Sequence, residues 1–271
     1  MAGAPAPEYI EARRILLDAL EALGPHLESV VLVGAQAIYH HVGEGALQVA
    51  PYTTDGDLAL DPRTLRDEPL LAEALSRAGF RLAVTPGTWA RGNVQVDLLV
   101  PESLSGGGRR SARLGPHGTA AARKARGLEA ATVDKRTVTL TSLDPLDRRA
   151  IDVDVAGLAA LLVAKLHKLS EREEIPARWS PKDGLDVLRI LQGADFQQLS
   201  GTLVGLERHA VAGGVTSEAR RFLVRLFGTR GGYGTAMAVR ASVGLEAPET
   251  ISASCEALAN ELLRAWPAAA R

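Results

Sequence analysis

Cysteine is all but missing from this chain. Cys255 is the only one in 271 residues, so no internal disulfide can form and a cytoplasmic compartment is expected. No charge of one sign prevails either: the net charge of −1 excludes a grossly basic nucleic-acid binder. No apolar run reaches the ~18 residues that suggest a membrane span, so no membrane partner is expected. Residues 1–7 are small and uncharged, charged residues follow at once, and nothing there resembles a signal peptide. Repeats are absent, as are Walker, dinucleotide-binding and metalloprotease signatures. The 46% of residues that are apolar suffice for one large domain or two modest ones.

What is present is a spacing of acids. Asp55 and Asp57 stand in Tyr52-Thr53-Thr54-Asp55-Gly56-Asp57-Leu58-Ala59-Leu60, and Asp97 stands alone in Val94-Gln95-Val96-Asp97-Leu98-Leu99-Val100. Strand side chains alternate faces, so Asp55 and Asp57 project from one side, about 7 Å apart. Asp97 needs only a neighbouring strand to complete a three-carboxylate cluster. An Asp-Gly-Asp tripeptide by itself reads as a solvated loop. A carboxylate among Val and Leu is harder to dismiss, because burying it unpaired is costly. Carboxylate oxygens suit Mg2+, which is usually held by one or two carboxylates together with substrate phosphates. The pattern points to phosphoryl or nucleotidyl transfer.

Upstream, Val30-Val31-Leu32-Val33 reads as a buried strand, and Gly34-Ala35-Gln36-Ala37-Ile38-Tyr39 as a turn entering a short helix. A glycine lets the backbone approach a ligand, and a helix N-terminus offers free N–H groups to a phosphate. Strand, glycine turn, helix and Asp-x-Asp strand resemble the opening of the nucleotidyltransferase fold shared with polymerase beta. Within that superfamily the chain is similar to the AbiEii/MenT-like nucleotidyltransferases, many of them toxins of toxin–antitoxin systems. The similarity continues in the helix 158–169 and the Lys182-Asp183-Gly184-Leu185-Asp186 helix, where Lys165, Arg172, Asp183 and Asp186 match.

The resemblance implies an α/β (α+β) architecture: a mixed-sheet nucleotidyltransferase domain over residues 1–155, then a helical domain over 156–271. It implies two Mg2+ ions on Asp55, Asp57 and Asp97, and an NTP near Gly34, Ala35, Thr53, Thr54 and Lys165. Lys165 would reach the triphosphate or departing pyrophosphate. Asp183 would orient that lysine or act on the attacking hydroxyl, and the sequence leaves both open. On the residues alone, Lys165 reads as a lysine snorkelling from an apolar helix, and Asp183 and Asp186 as first-turn acids favoured by the helix dipole. One departure is Ala35, where the family has serine or glycine; alanine offers only its backbone N–H. The implied acceptor is the tRNA 3′ end, with a cognate antitoxin as partner. A small-molecule (antibiotic) hydroxyl, a protein hydroxyl, and a catalytically inactive nucleotide- or RNA-binding module are the alternatives.

Positive charge gathers between Arg109 and Lys135 behind the flexible-looking Ser105-Gly106-Gly107-Gly108. Residues 119–130 read as a helix whose Arg123, Lys124 and Arg126 would contact RNA phosphates. The pair His40-His41 makes no natural bidentate metal site, because neighbours on a helix point about 100° apart. His167 reads as a surface or pairing residue, and Gly231-Gly232-Tyr233-Gly234 as an interhelical turn. Periodicity and turn signals predict helices over 8–23, 67–78, 157–174, 182–193, 196–211, 216–228 and 248–265. Strands are predicted near 29–33, 56–60, 80–85, 94–100, 136–140 and 150–155.

Overall fold

The computed structural model describes residues 6–42, 55–106, 111–175 and 179–267. Helix α1 (Pro7–Ala22) leads into strand β1 (Val30–Val33), helix α2 (Gly34–Val42) and strand β2 (Asp55–Leu60). Helix α3 (Leu71–Arg77) and strands β3 (Arg81–Leu82), β4 (Thr88–Arg91), β5 (Val94–Pro101), β6 (Arg123–Ala125), β7 (Lys135–Thr141) and β8 (Ala150–Ala156) follow. Helices α4 (Leu158–Glu173), α5 (Pro181–Gly193), α6 (Phe196–Glu207), α7 (Gly213–Phe227), α8 (Tyr233–Ala241) and α9 (Pro248–Ala265) complete the order. The fold is a mixed α/β one, with its later helices gathered after the sheet.

The eight-stranded sheet runs β3-β4-β5-β2-β1-β8-β7, with β6 paired to β5 off this path. Pairs β2–β5, β1–β8 and β5–β6 are parallel; the rest are antiparallel. Central strand β1 reads as an apolar run because both its faces are covered. The alternation rule fixes which face carries which side chains. Gly56 faces α1, where a Cβ would stand 3.1 Å from the Leu16 side chain, so Asp55 and Asp57 face the other way. Helix α1 buries Ala12, Ile15, Leu16, Leu17 and Leu20 against the sheet. Helix α2 packs on β1, β2, α4 and α5, joining the sheet to the helices in one continuous apolar cluster.

Helix α5 is the most enclosed: every residue from Asp183 to Leu191 is buried. It opens at Pro181, one residue before the expected start, and the Ser180 side chain makes no capping bond. Gly184 explains the closeness of its neighbour, for a Cβ there would strike the α8 backbone at Gly234 and Ala238.

Several local expectations are revised. Residues 119–130 do not form a helix. Gly118 (φ 76°) and Gly127 (φ 90°) turn the chain at either end, and pairing of Arg123–Ala125 with β5 overrides the helical propensity of the alanines between. Strand β4 was not expected. It pairs with β5 through the two-residue turn Gly92-Asn93, a dipeptide suited to hairpins. The glycine cluster at 231–234 is more than a turn, since Gly232 caps α8 and Tyr233 begins it. Helix α3 starts only at Leu71, two residues beyond Pro69, and the strand expected over 80–85 shortens to Arg81–Leu82. Among the described residues no helix is long and apolar enough to cross a membrane.

Candidate active site

Parallel pairing of β2 with β5 sets Asp57 opposite Asp97 and Asp55 opposite Gln95. Partners across neighbouring strands share a face, so all three acids project from one surface of the sheet. On the other side β1 sets Val33 opposite Asp57, which places the start of α2 beside that carboxylate. Gly34 has φ 71°, and a Cβ on it would collide with the Asp57 carboxylate. Glycine is required there by conformation and by space alike.

The three acids differ in surroundings. Asp55 is exposed, whereas Asp57 and Asp97 are half-buried. Asp97 accepts a 2.6 Å bond from the Thr88 hydroxyl and a bond from the Arg123 guanidinium. Both partners are delivered by strands flanking β5: Thr88 by β4, opposite Asp97, and Arg123 by β6, opposite Leu99. Among the described residues no group donates a hydrogen bond to Asp57. Burial pushes its proton affinity above the ordinary carboxylate range, Asp97 adds to that, and Lys168, Lys165 and Arg123 oppose it.

The facing wall comes from α4 and α5. Lys165 Nζ lies 2.8 Å from Asp183 Oδ1 and 2.7 Å from Asp186 Oδ2. Arg172 Nη1 bonds Asp183 Oδ2 at 2.5 Å, and Lys168 Nζ is 3.5 Å from Asp183 Oδ1. Arg189 Nη1 reaches Asp186 Oδ1 at 3.2 Å and the Tyr39 hydroxyl at 3.3 Å, its guanidinium carbon 5.4 Å from the Tyr39 ring centre. Lys165, Asp183, Asp186 and Arg189 are all buried. Burial opposes the charges of both Lys165 and Asp183, yet their mutual attraction and the neighbouring ions prevail. Lys165 is held well above the usual lysine range and Asp183 well below the usual carboxylate range.

Between the walls lies a cleft of about 1250 Å³ lined by Asp55, Asp57, Asp97, Gly34, Ala35 and Lys165, among others. It exceeds the ~300–1,000 Å³ of typical small-molecule sites. Arg123, Lys124 and Arg126 also border it. Each is engaged within the protein: Arg123 with Asp97, Lys124 with the Gly106 carbonyl, and Arg126 with Glu218 at 2.8 Å and Glu102 at 3.2 Å. Asp183 and Arg172, matched by the resemblance, do converge with Lys165 here, and Asp186 joins them. Thr53 and Thr54 lie outside the described residues.

Sequence reasoning passed over Thr88, Lys168, Tyr39 and Arg189. Lys168 was detectable, for Lys165, Lys168 and Arg172 follow at i, i+3 and i+7 and so share a helix face. Neither His41 nor His167 hydrogen-bonds to Asp55, Asp57 or Asp97, although His167 lines the same cleft. His41 Nε2 bonds the Ala156 carbonyl at 2.7 Å. His167 is a buried residue rather than a surface one, bonding the Val215 carbonyl at 2.8 Å with its ring edge-on to Phe222.

Among the described residues no three His, Cys, Asp or Glu side chains already converge as a ready metal cage. Asp97 is turned toward Thr88 and Arg123. No family model matches the chain, and no curated protein or solved structure matches it either.

Proposed function

We propose that the cleft transfers a nucleotidyl group from an NTP to a hydroxyl acceptor with the help of Mg2+. The observation that carries this reading is the register that sets Asp57 beside Asp97, with Asp55 on the same face, opposite a buried lysine-bearing helix. Asp57 has the chemistry that a hard cation fits. It is half-buried, raised in proton affinity and without a hydrogen-bond donor among the described residues, which is the state of a carboxylate lacking a positive partner. Asp55 and Asp57 would hold Mg2+, and Asp97 would share it once released from Arg123. Such an ion supplies charge neutralisation on the phosphates and lowers the pKa of an acceptor hydroxyl.

The protein's own groups account for the rest. Gly34 leaves bare backbone at the N-terminus of α2, where N–H groups can meet a phosphate. Ala35 lines the cleft there without a hydroxyl, so the grip on that phosphate comes from the main chain. Asp183 orients Lys165 and keeps it charged, which favours the first of the two roles open to it. The bond that forms joins the acceptor oxygen to the α-phosphorus; the bond that breaks frees pyrophosphate.

The acceptor we favour is the tRNA 3′ end, modified by a toxin held in check by an antitoxin. Two observations support it. The cleft is larger than a typical small-molecule site, and Arg123, Lys124 and Arg126 stand along its border. The test is incubation with each labelled NTP and total RNA, read on a gel. Label should enter a tRNA-sized band and vanish with Asp57→Asn and with Asp97→Asn, which keep shape and remove charge. Transfer surviving both substitutions would refute the reading, and label on a small molecule or protein would replace only the acceptor.

A further inference from the structure

Lys165, Lys168 and Arg172 share one face of α4 and all line the cleft, yet their freedom differs sharply. Their side chains are 7%, 41% and 19% exposed. Lys165 already faces two carboxylates at hydrogen-bond distance, and turning to a phosphate would leave Asp183 and Asp186 buried without it, a costly state. Arg172 is tied to Asp183 at 2.5 Å. Lys168 is placed otherwise. Its ammonium stands 3.5 Å from Asp183 Oδ1, beyond the 2.7–3.2 Å of a formed bond. Both Asp183 oxygens already accept from other cations.

Charge counting points the same way. On this wall Lys165, Lys168, Arg172, Lys182 and Arg189 stand against Glu171, Glu174, Asp183 and Asp186, so a positive surplus appears only once Lys168 is counted. The α4–α5 wall therefore carries surplus positive charge. Across the cleft, Asp55, Asp57, Asp97 and Glu102 outnumber Arg123, Lys124 and Arg126 by one. Lys168 is the most exposed of the three α4 cations that line the cleft with these acids.

We propose that Lys168 is the side chain that contacts the triphosphate of the substrate, with Lys165 serving as the buried ion that fixes α5 beneath it. This rests on the nucleotidyl-transfer reading and sharpens it. Lys168 lies outside the positions on which the family resemblance stands. A compact ammonium on a flexible stem suits a polyphosphate whose charge shifts during the reaction. Leaving Asp183 costs Lys168 little, because a half-exposed contact of this length is weak.

The experiment is titration calorimetry of inorganic tripolyphosphate, and of a non-hydrolysable NTP with Mg2+, into the full chain as wild type, Lys168→Met and Lys168→Arg. Transfer kinetics and thermal melts are measured in parallel. Lys168→Met is expected to weaken both ligands about tenfold, the loss of one charge-assisted bond. It should raise KM more than it lowers kcat, with Lys168→Arg recovering most of the affinity and Tm nearly unchanged. Unaltered affinity in Lys168→Met would overturn the proposal, and nucleotide transfer by the wild type would then leave the broader reading standing. A lowered Tm with unaltered affinity would make Lys168 a structural partner of Asp183 and overturn it too. Absence of tripolyphosphate binding by the wild type would also end it. Lys168-dependent binding in a chain that transfers no nucleotide would keep the polyphosphate site and remove the activity.

Discussion

Asp57 and Asp97 stand directly opposite each other on parallel strands, sharing a face at the floor of the cleft. Burial and the Asp97 charge both raise the cost of ionising Asp57, and Arg123 and Thr88 bond only Asp97. This is a destabilising arrangement for a folded protein, and such arrangements persist where a ligand makes use of them.

Asp57→Asn should therefore separate stability from activity. A carboxyl whose folded pKa is raised contributes its stability fully below the unfolded pKa and loses it as pH rises through the folded value. At neutral pH the ionised group opposes folding. Asparagine removes that opposition, so Tm is expected to stay level or rise by about 2–4 °C, the shift that ~1 kcal/mol gives in a chain of this size. NTP-dependent labelling should disappear. Calorimetry at pH 7, repeated at pH 4.5 where the difference should shrink, checks both halves.

Lys165→Met should behave in the opposite way. Removing one partner of a buried ion pair leaves Asp183 and Asp186 with reduced compensation, and about 3–5 kcal/mol of stability should be lost. The pH window follows from the signs. Asp183 is depressed, so its contribution is present above the unfolded carboxylate pKa and lost as pH falls through the folded value. Lys165 is raised, so its contribution is complete below the unfolded lysine pKa and lost as pH climbs through the folded value. Urea denaturation of wild type and variant should give a constant difference from pH 5 to 9, about the interval between unfolded Asp and Lys values.

Gly34→Ala tests the turn before α2. The left-handed backbone costs an alanine about 1–2 kcal/mol, and its Cβ also meets the Asp57 carboxylate. Shortening that side chain removes the contacts with its carboxylate but leaves its Cβ 2.9 Å away, so it relieves part of the second penalty and none of the first. The double variant Gly34→Ala with Asp57→Ala should regain about 1 kcal/mol relative to additivity in a double-mutant cycle. Strict additivity would show that the collision is absorbed elsewhere.

Cys255 offers a probe of global unfolding. It is fully buried in α9, and burial pushes its thiol up to about 12. Labelling with a thiol reagent at pH 8 should be undetectable in the native protein. It should then appear with the urea transition that circular dichroism follows.

Much of this molecule was readable from local chemistry. Alternation in Asp55-Gly56-Asp57 placed both acids on one face because a strand has period two, and the structure agrees. Apolar periodicity marked α1, α4, α5, α7 and α9. The misreadings fell where distant partners overrule local preference. Alanine-rich residues 119–130 lost their helix to pairing with β5, and β4 went unseen although Gly92-Asn93 signals a hairpin.

The sequence by itself determined the alternation of strands and helices, the spacing of the acids and the face shared by Lys165, Lys168 and Arg172. These depend on geometry that repeats within a few residues. Only the tertiary structure decided that Asp97 aligns with Asp57, that Arg123 closes on Asp97, and that Lys165 is buried between two carboxylates while Lys168 stays half open. Strand register and ion pairing are set by which surfaces pack together, and packing joins residues that no local periodicity connects.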